Sequence, residues 1–399
     1  VVTLKTVDQL PVEGKAVLVR VDYNVPLSPE RNVTDDTRIR ASLPTLRSIL
    51  ERGGRPIAMS HLGRPKGQVV PALSLAPVRP ILAELLGVTV AMAPDCVGDE
   101  TSQRVRELPP GEVLLLENLR FHHEEEANDP WFARQLAGLG ECYVNDAFGS
   151  SHRAHASVVG VPRLLPSAAG LLLHREIEVL SALMEDPRRP FWALLGGAKV
   201  SGKIEVIRNL IAKVDGLFVA GGMAFTFLKA MGREIGLSLI EEDRLEVARD
   251  LLEMARGRGI PLLLPSDVVV AAEATEEAPT MVVPTPAIPG DKKGLDIGPA
   301  TVDELAAHLR EARTVFWNGP CGVFEVEAFS YGTKAVAQLV ADATERGAVT
   351  VVGGGDSVAA VRQMGFEDCV THLSTGGGAA LELLEGKTLP GVAVLLEAK

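Results

Sequence analysis

At roughly 150 residues per domain, 399 residues suggest two or three domains, and 46% hydrophobic with 23% charged residues is the mixture of a folded globular protein, which excludes a disordered chain. A net charge of −12 argues against general nucleic-acid binding. No apolar run approaches the roughly 18 residues of a membrane span, so neither nucleic acid nor membrane is an expected partner. Val1 to Leu10 lacks the apolar core of a secretory signal. Cys96, Cys142, Cys321 and Cys369 lie far apart with no CxxC pair, which speaks against a zinc ribbon or disulfide framework and for a reducing, cytoplasmic compartment.

In chain order, short apolar runs alternate with amphipathic segments. The runs Ala16–Val21, Pro56–Met59, Val113–Leu116 and Cys142–Val144 come first, then Phe191–Leu195, Leu217–Ala220, Ile260–Leu264, Thr314–Trp317 and Val349–Val352. Short runs, often β-branched and ending in glycine or polar residues, predict buried parallel strands. The segments Arg38–Arg52, Pro77–Leu86, Lys203–Val214, Asp243–Arg256, Val302–Arg310 and Tyr331–Glu345 predict helices. This alternation predicts an α/β fold of two Rossmann-like domains, each a mostly parallel sheet flanked by helices. Leu171–Met184 reads as a helix joining residues 1–170 to residues 185–385. Glu273–Pro289 is Pro-rich and predicts loops or short antiparallel strands.

Ligands of open parallel sheets bind beyond the carboxyl ends of strands. Those ends differ between the halves. The first half carries Asp22, Asn24, Ser60, His61, Arg64, Asn118, Arg120, Asn145, Asp146, His152 and Arg153. Of the 18 Lys and Arg up to Ala168, 15 are arginine, whose planar fork suits carboxylate and phosphate oxygens. The second half carries Gly196-Gly-Ala-Lys199, Gly221-Gly222, Asn318-Gly-Pro320, Gly353-Gly-Gly-Asp356 and Ser374-Thr-Gly-Gly-Gly378. Glycines let phosphates approach backbone N–H groups at helix N-termini, although tight turns need glycine for their own sake. Two anion sites of different chemistry suggest transfer between them, and phosphoryl is the group such sites handle best.

Gly197–Lys203 reads G-x-x-x-x-G-K, but Ile204 stands where a P-loop needs Ser or Thr for Mg2+. Gly376–Leu381 fails the dinucleotide fingerprint, which argues against an NAD-dependent dehydrogenase. Asp356 can cap the following helix or hold Mg2+ on nucleotide phosphates. Lys199 and Lys203 share a helical face if the helix begins that early. Arg38 sits at a helix start, where a cation opposes the helix dipole, so local stability does not account for it. The His152–His155 pair lacks a nearby acidic third ligand, which argues against zinc.

Taken together, Arg20-Val-Asp-Tyr-Asn-Val-Pro26, Ser60-His-Leu-Gly-Arg-Pro65, Leu116-Glu-Asn-Leu-Arg-Phe121, Asn145-Asp-Ala-Phe-Gly149, His152-Arg-Ala-His155, Gly196-Gly-Ala-Lys-Val200, Trp317-Asn-Gly-Pro320, Gly353-Gly-Gly-Asp356 and Ser374-Thr-Gly-Gly-Gly-Ala379 resemble the phosphoglycerate kinase family, in its order and over nearly the whole chain. The resemblance implies reversible transfer of the acyl phosphate of 1,3-bisphosphoglycerate to ADP, giving 3-phosphoglycerate and ATP, with Mg2+, in a monomer that closes on its ligands. It places Asp22, Tyr23, Asn24, Arg38, His61, Leu62, Gly63, Arg64, Arg120, His152 and Arg153 on the phosphoglycerate, within residues 1–170. It places Gly197, Lys203, Gly222, Gly294, Asn318, Glu325, Gly354, Gly355, Asp356 and Ser357 on the nucleotide, with Asp356 as the Mg2+ ligand. Arg38, Lys199 and Gly376, Gly377 and Gly378 would meet the phosphoryl in flight, and residues 386–399 would return to the N-terminal domain. Gly202 stands where many members have Asp, and Ala220 replaces the first glycine of a Gly-Gly-Gly-Met-Ala string, so the turn there is expected to differ. Tyr23 replaces Phe, and Ser150-Ser151 replaces Thr-Ala. The competing reading is a non-catalytic two-domain binding protein for an anionic metabolite, which would need no Gly-rich half.

Overall fold

The computed structural model describes residues 4–397. Contacts divide the chain into two compact units: the first runs to Ser181 and takes up the chain again from Thr388, and the second spans Ala182–Lys387. The division falls inside the helix Leu171–Glu185. Both units are α/β, each built on a six-stranded, all-parallel sheet flanked by helices.

The first sheet comprises β1 (Ala16–Arg20), β2 (Arg55–Met59), β3 (Val90–Met92), β4 (Val113–Leu115), β5 (Cys142–Asn145) and β6 (Ser167–Ala169), in the order β3-β4-β2-β1-β5-β6. β1, β4 and β5 are buried at every position, which is why they read as unbroken apolar runs rather than as an alternation. The strand order reverses between β1 and β5, so the crevice for a ligand opens at their carboxyl ends.

The second unit contains β7 (Phe191–Leu195), β8 (Gly216–Val219), β9 (Leu262–Leu263), then β10 (Asp267–Ala271), β11 (Met281–Pro284) and β12 (Lys293–Ile297), and finally β13 (Thr314–Asn318), β14 (Val349–Gly353) and β15 (His372–Leu373). Its main sheet runs β15-β14-β13-β7-β8-β9, with the reversal between β7 and β13. β10, β11 and β12 form a separate antiparallel sheet with β10 central, so part of the Pro-rich stretch is a strand, Met281–Pro284. This small sheet has its own core, in which Phe225, Leu228, Val268 and Val270 pack.

The helix Leu171–Glu185 begins on a cap built from the first sheet. Asp146 Oδ1, just past β5, accepts the N–H groups of Leu172 and Leu173 at 3.0 and 3.4 Å, and Thr45 Oγ1 accepts that of Leu171 at 2.9 Å. Three of the four N–H groups a helix leaves orphaned at its start are thereby satisfied. Burial pushes the Asp146 carboxyl up to about 7 against the lowering effect of these donors. The helix Pro390–Glu397 belongs to the first unit, where Gly391 N–H donates to Ser151 O at 2.9 Å and Asn145 Nδ2 donates to Gly391 O at 3.3 Å. Residues 1–3 of the expected N-terminal domain and 398–399 of the expected returning segment lie outside the described residues. Among the described residues no helix is long and apolar enough to cross a membrane.

Candidate active site

In the first unit the residues beyond β1 and β2 lock together. Asn24 Oδ1 accepts Gly63 N–H at 2.8 Å, and Arg120 Nη1 donates to Gly63 O at 2.9 Å. Ser60 Oγ accepts Tyr23 N–H at 2.8 Å. Asn118, fully buried, donates through Nδ2 to Leu62 O and Leu73 O at 2.7 and 2.8 Å. Asn118 thus shapes the Ser60–Arg64 loop. It is legible in the sequence as a strand-end residue, but its positioning role depends on long-range partners that spacing does not reveal. Tyr23 and Leu62 turn their side chains into the core, and the Tyr23 hydroxyl lies 2.9 Å from Ser42 Oγ. Both can offer a ligand only backbone.

Arg38 stands at the second position of the helix Thr37–Glu51 and bonds Asp22 through Nη1 at 2.8 Å. That pair supplies what the helix dipole does not. Burial alone would raise the Asp22 carboxyl, but Arg38, His61, Arg20 and the Asn24 N–H together hold it below its ordinary value. His61 is held well below the usual imidazole value by burial and then by Arg20. His155 is pushed down to about 3 by burial, then by Arg120 and Arg20. Both are therefore neutral at physiological pH, and the positive charge of this cluster comes from arginines. Glu125 Oε1 lies 3.9 Å from His155 Nδ1, so an acidic neighbour that spacing had not revealed stands beside the histidine pair. Arg64 and Arg153 are exposed, and His152 is half-buried.

In the second unit the switch point is made of backbone. Gly197 N–H donates to Pro320 O and Gly196 N–H to Asn318 O, each at 2.9 Å. Lys203 Nζ donates to Gly196 O and Asn318 O at 2.7 and 2.8 Å, fastening the carboxyl ends of β7 and β13. The next helix begins only at Ile204, so Lys199 and Lys203 do not share a helical face: Lys203 is turned inward and Lys199 lies in an exposed turn. Burial lowers the Lys203 ammonium to about 8, opposed by the nearby Asp356. Asn318 Nδ2 donates to Gly353 O, and Ser357 Oγ accepts Gly319 N–H. Asn318 and Ser357 are buried, and both hold strand ends in place.

A cavity of about 690 Å3 opens beside this switch point, a size that suits a cofactor-sized ligand. It brings together Gly197, Gly222, Gly294, Glu325 and Asp356, and leaves Lys203, Asn318, Gly354, Gly355 and Ser357 off its lining. Its apolar wall is Phe225, Leu237, Leu239 and Val323, which sequence reasoning missed. Leu237 and Leu239 are 58% and 48% exposed, the kind of apolar surface a flat aromatic base would cover. Gly294 lies against Phe225, where a Cβ would come within 2.1 Å of the ring. The turn after β8 depends on Gly221, at φ +67° and with its would-be Cβ 2.6 Å from Gly197 O. Ala220 follows the last residue of β8, buried, with its N–H on Leu195 O. Gly202 lies exposed with nothing within 4 Å of a would-be Cβ.

Asp356 is at the second position of the helix Gly355–Gln363, exposed at the cavity rim. Among the described residues its carboxylate has no hydrogen bond or ion pair. One carboxylate at the rim of this cavity fits Mg2+, which takes one or two carboxylates and fills its shell from phosphates and water. Gly376 N–H is engaged by Ser374 Oγ at 3.3 Å, and Gly377 caps the helix Gly378–Leu384.

Comparison with known proteins accords with both halves. A family model described as phosphoglycerate kinase matches residues 7–387. Phosphoglycerate kinase of Chlorobaculum tepidum is 56% identical over 392 residues, covering 98% of this chain and 99% of that one. That of Moorella thermoacetica is 57% identical at the same coverage. The solved phosphoglycerate kinase of Coxiella burnetii superposes with a TM-score of 0.89 at 40% identity, covering 100% of each chain. A family match running through both the arginine-rich crevice and the glycine-lined cavity leaves one conclusion: this chain belongs to the phosphoglycerate kinase family.

Proposed function

We infer that this chain transfers the acyl phosphate of 1,3-bisphosphoglycerate to ADP, giving 3-phosphoglycerate and ATP, reversibly. The observation that carries the reading is the family match over residues 7–387, which spans both candidate sites. In this reading the first unit holds the phosphoglycerate and the second the nucleotide. Asp22 and Asn24 would take the glycerate hydroxyl and orient the loop that presents His61. Arg64, Arg120 and Arg153, with His152 beside them, would take carboxylate and phosphate oxygens, for which guanidinium forks are suited. In the second unit the base would lie against Phe225, Leu237 and Leu239, with Glu325 on the ribose. Gly222, Gly354 and Gly355 would let the phosphates approach the backbone.

The chemistry asks little covalent help. A terminal phosphate oxygen of ADP attacks phosphorus, the bond from phosphorus to the acyl oxygen breaks, and the carboxylate leaves. The attacking oxygen is already anionic, so no general base is needed. Catalysis then rests on positioning and on stabilising charge spread over the moving phosphoryl. Arg38 and Lys199 would supply cations to it, and the Gly376–Gly378 turn would supply backbone dipoles. Asp356 would hold Mg2+, which when bound offsets the charge of the nucleotide phosphates. Free cysteines throughout support a reducing cytoplasm, and a monomer suffices because each half-site is built within its own unit. Separate titrations test the division of labour. Arg64→Ala with Arg153→Ala should weaken 3-phosphoglycerate binding at least tenfold and leave Mg-ADP binding unchanged. Equal loss for both ligands would refute it.

A further inference from the structure

Beneath the arginine cluster lies a buried polar chain that the reaction, as described, does not use. Glu125, with no exposed surface, accepts Ser157 N–H at 2.9 Å on Oε2 and Ser157 Oγ–H at 2.5 Å on Oε1. Ser157 Oγ in turn accepts Arg20 Nε–H at 2.9 Å. Arg20, at the end of β1 and also without exposed surface, donates through Nη1 to Val21 O, and its Nη2 lies 3.1 Å from His61 Nδ1. Tyr143 steadies the turn by donating its hydroxyl to Ser157 O at 2.8 Å.

Direction along this chain is forced. A guanidinium has only donors, so the Arg20 Nη2–His61 Nδ1 contact requires Nδ1 to be the acceptor, and the ring proton must sit on Nε2. The Arg20 charge opposes a second proton on the ring. The groups facing His61 are Arg20 and Asp22 from the end of β1, Arg120 from the turn after β4, and His155 from ahead of the Ser157 turn. Of these only Asp22 favours the cation. Burying a guanidinium and a carboxylate costs several kcal/mol before their attraction is counted, and an apolar pair often does as well for stability, so a purely structural role explains the pair poorly.

We propose that Arg20, anchored by Ser157 and Glu125, is a positioning residue that locks His61 in its neutral Nε2–H tautomer and so gives the phosphoglycerate crevice a hydrogen-bond donor that does not change with pH. The proposal rests on the reading that His61 touches the phosphoglycerate. It is tested on full-length protein labelled with 15N-histidine, using long-range 1H–15N correlation from about pH 5.5 to 8.5 across the ordinary histidine range. His61→Gln identifies the signal. Nδ1 is expected to be of the unprotonated type and Nε2 of the protonated type throughout. In Arg20→Met with Glu125→Gln, which removes both charges together, His61 should show mixed tautomers, and its pKa should rise from the parent's while burial and Arg120 still oppose the cation. The KM for 3-phosphoglycerate should then rise at least threefold, because the Nε2–H donor is no longer held, while the KM for Mg-ATP keeps the parent value. Ser157→Ala, which keeps both charges, should move His61 the same way by less, and the parent spectrum alone suffices should the double variant not fold. A parent His61 protonated on Nδ1, or titrating ordinarily, overturns the proposal. So does a double variant whose His61 is unchanged. A freed tautomer with an unchanged KM for 3-phosphoglycerate would show that His61 does not meet the substrate, and would overturn the proposal through that premise instead.

Discussion

Asp146→Asn isolates the cap on the helix that runs from one unit into the other. The Asp146 carboxyl is fully buried, and burial raises it from 3.8 to about 7. Between those values the native state holds a proton that the unfolded state has released. The stabilisation from Asp146 is therefore fully present below about pH 4, falls as pH rises, and is gone above about pH 7. At 1.36 kcal/mol per pH unit, the whole span is worth about 4 kcal/mol at most. Asparagine keeps a carbonyl oxygen for the Leu172 and Leu173 N–H groups and carries no charge at any pH. Between pH 5 and 8 the variant should thus gain about 2–3 kcal/mol on the parent, most of it below pH 7. The assay is urea unfolding of both proteins at half-unit pH steps, followed by circular dichroism and compared as the difference in midpoint at each pH. A difference that stays flat from pH 5 to 8 would refute the assignment of a raised Asp146. A variant weaker than the parent at every pH would show that the cap depends on charge rather than on the acceptor oxygen.

Other perturbations separate the parts of the site. Arg38→Ala should lower kcat by about 10³, the scale of a cation supplied to a moving phosphoryl, whereas a loss of a few fold in a folded protein would remove Arg38 from that role. Gly294→Ala places a methyl group within 2.1 Å of the Phe225 ring, so the KM for Mg-ADP should rise at least tenfold with little change for 3-phosphoglycerate, as read from initial rates. Asp356→Asn should raise the Mg2+ concentration needed for half-maximal rate by at least tenfold, and an unchanged Mg2+ dependence would move the metal to another residue.

Much of the fold was legible because its strands are buried on both faces and its longer helices are amphipathic. Phe191–Leu195 and Tyr331–Glu345 occupy the residues their patterns predict. What escaped was short or began in glycine. β15 has two residues, and the helices Gly222–Ala230, Gly355–Gln363 and Gly378–Leu384 start on the glycines that punctuate strand ends, where no capping side chain announces them. The strand-end rule found the polar residues of both crevices. It could not tell those that face a ligand from those that hold the frame. Lys203 illustrates the limit: its spacing suggests a phosphate contact, and only the fold shows that its ammonium also ties Gly196 O, just past β7, to Asn318 O in β13. Arg20 illustrates the same limit, since its partners Ser157 and His61 are 137 and 41 residues away.

The most direct test of the account is to mix the full-length protein with 3-phosphoglycerate, ATP and Mg2+ and follow ADP, omitting each component in turn. Transfer between the two sites predicts ADP only when all three are present, in amounts equal to the acyl phosphate formed. ADP released without 3-phosphoglycerate, or no turnover despite binding of both ligands, would contradict it.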